Sequence, residues 1–368
     1  MSINSGEAMG TSMRAVVVTP KQANSANIAD VPAPKRRPNE CLVRVLEVGI
    51  DGTDRDINAG RYGEAAAGEK ALILGHESLG EVIEPAANFK TGDLVVATVR
   101  RPCPERCPPC REKTYDFCSS GNYEERGIRR RNGYLAQCYA EEPEFLIPIP
   151  KPLRHVAVLL EPMSIVEKAF RQVAKIQERM PWQPQRVLIT GAGGVGTLAA
   201  CVARLRGFET VVYSRSASRG TGHEIRKQLG VTDFDAQEYK LADAIASGAP
   251  DIVIEATGSG AFGWQAAEVV AVNGVVCLLS VTGGKEHIDI ASDELNDNMV
   301  LGNKLMFGSV NSHRSDFEQG VKDFAELTRR WPGVLERFIT RRLRLEDIRS
   351  ALERPKGDLK TVVELVSS

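Results

Sequence analysis

The sequence lacks several features that would place it in a specialised class of protein. It contains no window of about 18 uninterrupted apolar residues, so no transmembrane helix is expected. Its 47 Lys and Arg nearly balance its 48 Asp and Glu, which argues against a chain that coats nucleic acid or an anionic membrane. The chain also lacks the large excess of Asp and Glu that is typical of proteins adapted to strong brine. We therefore predict neither a nucleic-acid nor a membrane partner.

A secretory signal is also missing. Residues 1–12 are polar and show no charged start followed by an apolar core, so we predict a flexible extension before Met13. The 8 cysteines are sparse for a secreted disulfide framework in 368 residues. These absences predict a cytoplasmic protein with reduced thiols.

The 368 residues that are present suggest two domains. Up to about residue 150, short runs such as CLVRVLEVGI, separated by Gly, Pro, Asn and Asp, predict a β-rich domain. From Arg186 onward, strands, glycine turns and helices alternate, which predicts right-handed crossovers and a parallel sheet. The expected fold class is α/β, with a doubly wound Rossmann domain beside the β-rich one.

A glycine-rich turn at 191–196 (GAGGVG) directly follows an apolar strand and precedes a helix. The first glycine permits a tight turn, the second lets the backbone approach a pyrophosphate, and the third allows close helix–strand packing. Backbone N–H groups at the helix start would face the phosphate oxygens. A turn without a ligand is the alternative. The predicted dinucleotide contacts are Gly191, Gly193, Gly194, Val195 and Gly196.

The end of the second strand of this domain indicates which dinucleotide binds. NAD-selective sites usually carry Asp or Glu about 20 residues after the glycines, and no acid stands here. Instead, Arg215 and Arg219 could pair with a 2′-phosphate, and Ser214 could donate a hydrogen bond to it. We predict NADP. Use of NAD as well stays open, because arginine also stacks on adenine, and so does a solvated arginine loop without a cofactor role.

Four cysteines, spaced C-x3-C-x2-C-x7-C, lie on one proline-stiffened loop: Cys103, Cys107, Cys110 and Cys118. Four soft ligands on a compact loop suit a tetrahedral structural zinc with no open position. An iron–sulfur cluster or free cysteines are the alternatives. A zinc module for nucleic acid is disfavoured, because such modules usually space their cysteines as two C-x2-C pairs.

Three further segments hold candidate ligands for a second metal: Asp51 in GIDGTD, His76 in GHESLG and Glu161 in LEP. Taken singly, Asp51 could be a turn residue, His76 a buried core histidine, and Glu161 a carboxylate favoured at a helix start. The residues alone therefore leave a metal site as one alternative.

In order and spacing, these motifs resemble the zinc-dependent medium-chain dehydrogenases from Met13 onward, and within them the archaeal-type glucose dehydrogenases. GNYEERGI, LEPMSIVEK and GSVN carry the closer resemblance. It implies a GroES-like catalytic domain over 13–185 with a structural-zinc lobe at about 100–120. It also implies a nucleotide-binding domain over 186–312, and a segment over 313–368 that completes the catalytic domain.

The resemblance also implies roles for individual residues. Asp51, His76 and Glu161 would hold a catalytic zinc, with Glu77 as a supporting partner or transient ligand. Thr53 would start a proton relay. The sugar would contact Thr53, Glu125, Glu161 and Asn311, and the cofactor would also contact Thr257, Ser280 and Asn311. The implied reaction oxidises the C1 hydroxyl of glucose to the lactone with NADP.

Two departures from the family pattern leave the substrate open. Asp51 stands where most zinc dehydrogenases hold cysteine, which predicts a harder and more labile zinc. Ile165 stands where some glucose dehydrogenases place an acid. A dehydrogenase for galactose, xylose or an alditol is the runner-up, followed by a non-catalytic NADP-binding protein. The resemblance further implies a homo-oligomer, either a dimer or a tetramer.

Overall fold

The computed structural model describes residues 11–215, 217–283, 285 and 287–365. The predicted flexible extension mostly lies outside them, and the first strand begins at Ser12, one residue before the predicted Met13. No helix among the described residues has the length and apolar character needed to cross a membrane.

The elements follow one another along the chain with these bounds: β1 Ser12–Val18, β2 Asn27–Pro32, β3 Cys41–Ile50, α1 Gly52–Asn58, β4 Leu72–Ile73, β5 Glu77–Glu84, β6 Leu94–Ala97, β7 Arg100–Arg101, α2 Pro108–Arg111, β8 Glu124–Arg126, β9 Arg130–Arg131, β10 Cys138–Glu141, β11 Leu146–Ile149, α3 Leu160–Gln177, β12 Arg186–Thr190, α4 Gly194–Leu205, β13 Glu209–Ser214, α5 Gly220–Gln228, β14 Thr232–Asp235, α6 Leu241–Ala244, β15 Ile252–Glu255, α7 Gly260–Val269, β16 Val275–Leu278, α8 Ser292–Leu301, β17 Leu305–Gly308, α9 Arg314–Arg330, β18 Ile339–Arg344, α10 Ile348–Ala351 and β19 Lys360–Glu364.

The chain divides into two compact units. The first contains the residues up to Glu161, then Asn311–Val321, and the chain from Ile339 onward. The second contains Pro162–Val310 and Lys322–Phe338. The sequence predicts the first border near 185. The contacts put it at the start of α3, because most of that helix packs with the second unit.

The first unit is built on a seven-stranded sheet. Its order is β11-β6-β5-β3-β19-β18, with β10 also paired to β3. Apolar side chains of β3, such as Val43, Val45 and Val48, are fully buried in the core. Strand β19 comes from the end of the chain and pairs antiparallel with β3. The C-terminal segment thereby contributes side chains to the same region as the motif at Asp51.

The second unit contains a six-stranded sheet of order β14-β13-β12-β15-β16-β17, in which every neighbouring pair is parallel. This is the doubly wound order: successive strands are added on one side of β12 as far as β14, and then on its other side from β15 to β17. The α/β fold class is thus confirmed. Ligands of such sheets bind beyond the carboxyl ends of the strands at the reversal point, which is where the glycine turn lies.

Candidate active site

Asp51 lies between β3 and α1 and caps the helix. Its Oδ1 accepts hydrogen bonds from the backbone N–H groups of Thr53 and Asp54 at 2.7 and 3.2 Å. The Thr53 hydroxyl donates to Oδ2 at 3.2 Å, and the Asp54 carboxylate accepts from the Asp51 N–H at 3.1 Å. This capping box fixes the Asp51 carboxylate before any ligand arrives.

His76 faces Asp51 from the residue before β5. Its Nε2 lies 3.6 Å from Asp51 Oδ2, which is too long for a hydrogen bond, and its Nδ1 lies 3.9 Å from Asp54 Oδ1. One donor atom each from Asp51, His76 and Glu77 lies within 4.8 Å of the other two. A nitrogen and carboxylate oxygens at such separations are a ligand set that suits zinc.

Glu77 is held by a partner that the sequence did not reveal. Lys360 Nζ, on β19, donates to both carboxylate oxygens of Glu77 at 2.6 Å, and both side chains are buried. The carboxylate packs against Gly49, where an added Cβ would lie 2.0 Å from Glu77 Oε2. The positive charge of Lys360 therefore balances the Glu77 carboxylate, and the two hydrogen bonds fix its position.

Glu161 is the second residue of α3 and is buried, but it is outside the group of atoms that lie within 4.8 Å of one another. Burial raises the pKa of Glu161 to about 8; the His76 charge opposes this, and Glu77 and Asp51 add to it. Burial also acts to raise the pKa of Asp51, but the charge of His76 holds it below its usual range. A divalent cation bound beside Glu161 would lower that pKa.

Two of the four predicted sugar-binding residues, Glu125 and Asn311, form a buried pair. Asn311 Nδ2 donates to Glu125 Oε1 at 2.9 Å. Arg100, which the sequence did not indicate, donates to the same oxygen at 3.0 and 2.9 Å and stacks on the Tyr123 ring at 3.8 Å. Within the described residues, the Glu125 carboxylate accepts these bonds through Oε1 alone, so Oε2 can accept a hydrogen bond from a ligand hydroxyl.

The cysteine loop brings its four sulfurs within 4.8 Å of one another. Cys107 Sγ and Cys118 Sγ lie 3.7 Å apart, close to the edge of about 3.8 Å expected for a tetrahedron with Zn–S bonds of about 2.3 Å. Burial acts to raise the pKa of Cys107, but hydrogen bonds from the Cys110 and Ser119 backbones lower it to about 5. Zinc binds thiolates, so Cys107 is ready to bind it, whereas burial raises the pKa of Cys110 to about 12 and metal binding there would release a proton.

The glycine turn of the second unit has the geometry that its motif predicts. Gly191 has φ 105°, and a Cβ there would lie 2.5 Å from the Ala256 carbonyl oxygen. A Cβ on Gly196 would lie 2.0 Å from the Gly191 carbonyl oxygen. Gly193 caps α4 without a side-chain hydrogen bond, so the first-turn N–H groups, including those of Gly194 and Val195, can meet an anion.

The other predicted cofactor residues follow the carboxyl ends of neighbouring parallel strands. Ser214 ends β13, and the exposed Arg215 comes next. Arg219 caps α5 and is also exposed. Thr257 follows β15, and Ser280 follows β16 and accepts from Gly258 N at 2.9 Å. Their roles stay predictions, but their places in the sheet are those of a nucleotide site.

Comparisons with known proteins agree with this geometry. A family model described as glucose dehydrogenase C-terminus matches residues 154–365, and one described as alcohol dehydrogenase GroES-like domain matches residues 37–151. The glucose 1-dehydrogenase of Methanocella arvoryzae is 43% identical over 96% of this chain and 99% of its own length. That of Thermoproteus tenax is 37% identical over 96% of this chain and 99% of its own length. The glucose dehydrogenase of Haloferax mediterranei, solved in complex with NADP, Zn and gluconolactone, has a TM-score of 0.89 and 30% identity, and the match covers 97% of this chain and 100% of that one.

Proposed function

Because the chain belongs to the glucose dehydrogenase family of zinc-dependent medium-chain dehydrogenases, we propose that it oxidises the C1 hydroxyl of D-glucose or a related aldose with NADP. The product is the lactone. Two features of the first unit carry this proposal: the metal-suited pair of partly buried Asp51 and buried His76, and the buried polar pair of Glu125 and Asn311. The gluconolactone in the Haloferax mediterranei neighbour supports the same substrate class.

We assign the catalytic zinc to Asp51, His76 and Glu161. Both oxygens of Glu77 bond to Lys360, so Glu77 supports the site and Glu161 completes the ligand set. Zinc bound there supplies Lewis acidity that lowers the pKa of the substrate hydroxyl. His76 Nε2 lies on the side of the ring that faces Asp51, while Nδ1 lies 3.9 Å from Asp54 Oδ1, so Nε2 is the nitrogen that would bind the metal.

The remaining residues move a proton and hold the sugar. The Thr53 hydroxyl donates to Asp51, so its lone pairs can accept a hydrogen bond from the C1 hydroxyl and start the proton relay. Glu125 Oε2 accepts from another sugar hydroxyl. A site built on such fixed partners rejects analogues that lack the matching hydroxyl. Hydride chemistry belongs to the nicotinamide.

An assay of NADP reduction tests the proposal. Glucose, galactose, xylose, sorbitol and a simple alcohol would each be offered with NADP and with NAD, before and after chelation. We expect glucose with NADP to be oxidised fastest and chelation to stop the reaction. Faster turnover of a different sugar or polyol would overturn the glucose assignment, and tight NADP binding without any turnover would favour a non-catalytic role.

The cofactor preference rests on Arg215 and Arg219. Replacing both by alanine should raise KM for NADP at least about tenfold and change KM for NAD less than about twofold, since charge-assisted bonds to a 2′-phosphate are lost. Arg329→Ala with Arg330→Ala, two exposed arginines on α9, provides the control. Equal changes in KM for both cofactors would remove the 2′-phosphate assignment.

We further propose that copies of the chain associate along β17. This strand is at the edge of the six-stranded sheet, where unpaired N–H and C=O groups can accept a neighbouring strand. Helix α8 before it has no buried residue, and Val300 and Leu301 are 64% and 79% exposed. A homodimer or tetramer would cover this apolar edge. Light scattering of the wild type and of the Val300→Lys, Leu301→Lys variant should show dissociation of the variant.

The cysteines support a cytoplasmic location, which we also propose. None of the 8 cysteines forms a disulfide in the described part of the chain. Thiols persist in the reducing cytosol, whereas secreted proteins usually pair them.

A further inference from the structure

A cavity, which we call the outer cavity, lies in the first unit. It has a volume of about 250 Å³ and is lined by Lys21, Arg61, Tyr62, Gly63, Glu64, Ile128 and Arg129. Backbone bonds from Glu64 N to Ile128 O at 3.1 Å and from Arg130 N to Glu64 O at 2.7 Å join its two walls. The cavity is therefore part of the fixed structure of the unit. None of these residues has a role in the proposed glucose reaction.

The outer cavity is cationic. Lys21, Arg61 and Arg129 supply three positive charges to its lining, and Glu64 supplies the only negative one. The Glu64 carboxylate already binds Arg129 at 3.2 Å and Arg130 at 2.8 Å. Lys21 forms no ion pair within the described residues, and Arg61 pairs with the surface residue Asp56. A neutral sugar does not require such a lining, whereas an oxyanion does.

The cavity lies beside the Glu125 site. Arg129 stacks on the Tyr123 ring with its Cζ 5.2 Å from the ring centroid, and Arg100, which binds Glu125, stacks on the same ring at 3.8 Å. Burial and then the charge of Glu125 raise the pKa of Tyr62, so Tyr62 is within electrostatic range of that carboxylate. One aromatic ring thus links the sugar's polar partners to the cationic lining.

We infer that the outer cavity binds the phosphate of a phosphorylated aldose whose C1 hydroxyl occupies the metal site, an inference that rests on the proposed function. A volume of about 250 Å³ is below the range of about 300–1,000 Å³ for complete ligands, so it suits a substituent. A phosphate monoester carries about −2 at neutral pH, which matches the net charge of the lining. Arg61 donates to Asp56, and Arg129 donates to Glu64 and to the Gly121 carbonyl oxygen. The remaining N–H groups of the two guanidiniums are the donors for a phosphate.

The reaction of such a substrate is the same two-electron oxidation. The C1–H bond breaks, its electron pair and hydrogen pass to NADP as hydride, and the hydroxyl proton leaves to solvent. The phosphate ester bond remains intact. The phosphate contributes only binding at a distance from C1, and this binding energy can raise kcat/KM.

The test compares glucose, glucose 6-phosphate and glucuronate as substrates of the zinc-loaded full chain. The key variant combines Lys21→Gln with Arg61→Gln, and Lys90→Gln, an exposed lysine elsewhere on the unit, is the control. We expect the wild type to oxidise glucose 6-phosphate. We expect the double variant to lose at least about tenfold in kcat/KM for that substrate and less than about twofold for glucose.

The other outcomes are distinguishable. Oxidation of glucose without oxidation of glucose 6-phosphate would overturn the inference and leave the proposed function intact. Inhibition by inorganic phosphate without oxidation of glucose 6-phosphate would also overturn the inference, because it would indicate a site for a free anion. A preference for glucuronate over glucose 6-phosphate would overturn it too, because it would indicate a carboxylate site. If no sugar is oxidised, the proposed function fails. Calorimetry with glucose 6-phosphate then decides the inference: binding to the wild type but not to the double variant supports it, and equal or absent binding contradicts it.

Discussion

The His76→Ala variant is expected to lose glucose oxidation by more than about 100-fold in kcat/KM while it keeps its fold and its affinity for NADP. Changes to partners that only support metal ligands typically cost 10–100-fold, and removal of a ligand should cost more. His76 contributes the nitrogen of the group whose donor atoms lie within 4.8 Å of one another. The nucleotide turn belongs to the second unit, so NADP binding should persist.

Three measurements check this expectation: the steady-state rate with glucose, the zinc content, and the affinity for NADP by fluorescence titration. His155→Ala changes an exposed histidine in the same unit and should behave as the wild type. Substantial activity in a metal-depleted His76→Ala protein would exclude the catalytic zinc. Loss of NADP binding together with activity would instead indicate that the variant is unfolded.

The Cys110→Ala variant should retain one zinc per chain where the wild type retains two, and it should unfold at a lower temperature. Cys110 is one of four sulfurs within 4.8 Å of one another, and three ligands cannot close a tetrahedral site. The lobe's buried cluster consists only of Cys103, Cys107 and Cys110, with partly buried Tyr115 and Cys118 against it. So little apolar surface cannot order the loop without the metal.

Metal analysis and thermal unfolding of the pure protein measure both effects. Cys138→Ala removes a buried cysteine from β10, outside the cysteine loop, and should keep two zinc ions. This control separates ligand loss from the cost of an ordinary core cavity. A Cys110→Ala protein with two zinc ions would contradict the assignment, and iron with the absorption of a cluster in the wild type would replace zinc by an iron–sulfur centre.

Parts of the fold could be predicted because their signals are local. Arg186–Thr190 forms β12 over the residues of the apolar run RVLIT, and Cys41–Ile50 forms β3 over the run CLVRVLEVGI. The border between the two units could not be predicted as well from the sequence. The apolar residues in HVAVLLEPMSIVEKAFRQVAKI, over 155–176, have helical spacing and predict a helix or two there, but they do not say which unit α3 packs against.

The residues of the site also fall into those that the sequence indicates and those that only the folded structure brings there. Asp51 and His76 lie in their own glycine-flanked motifs, so the sequence indicated them. Lys360 is 283 positions from Glu77 and lies in an unremarkable KTVVE strand. Only the antiparallel pairing of β19 with β3 brings it to the site, and that pairing is set by the packing of the whole sheet. Arg100 reaches Glu125 through tertiary contacts in the same way.

The two carboxylate oxygens of Asp51 have different partners, and this limits how the position can evolve. Oδ1 holds the start of α1, and Oδ2 faces His76. Cysteine, which most zinc dehydrogenases hold here, would keep a metal ligand but remove the oxygen cap, and loss of a cap typically costs about 1 kcal/mol. Replacement of Asp51 by cysteine during evolution would therefore lower the free energy of unfolding, unless a second substitution restored the cap of α1.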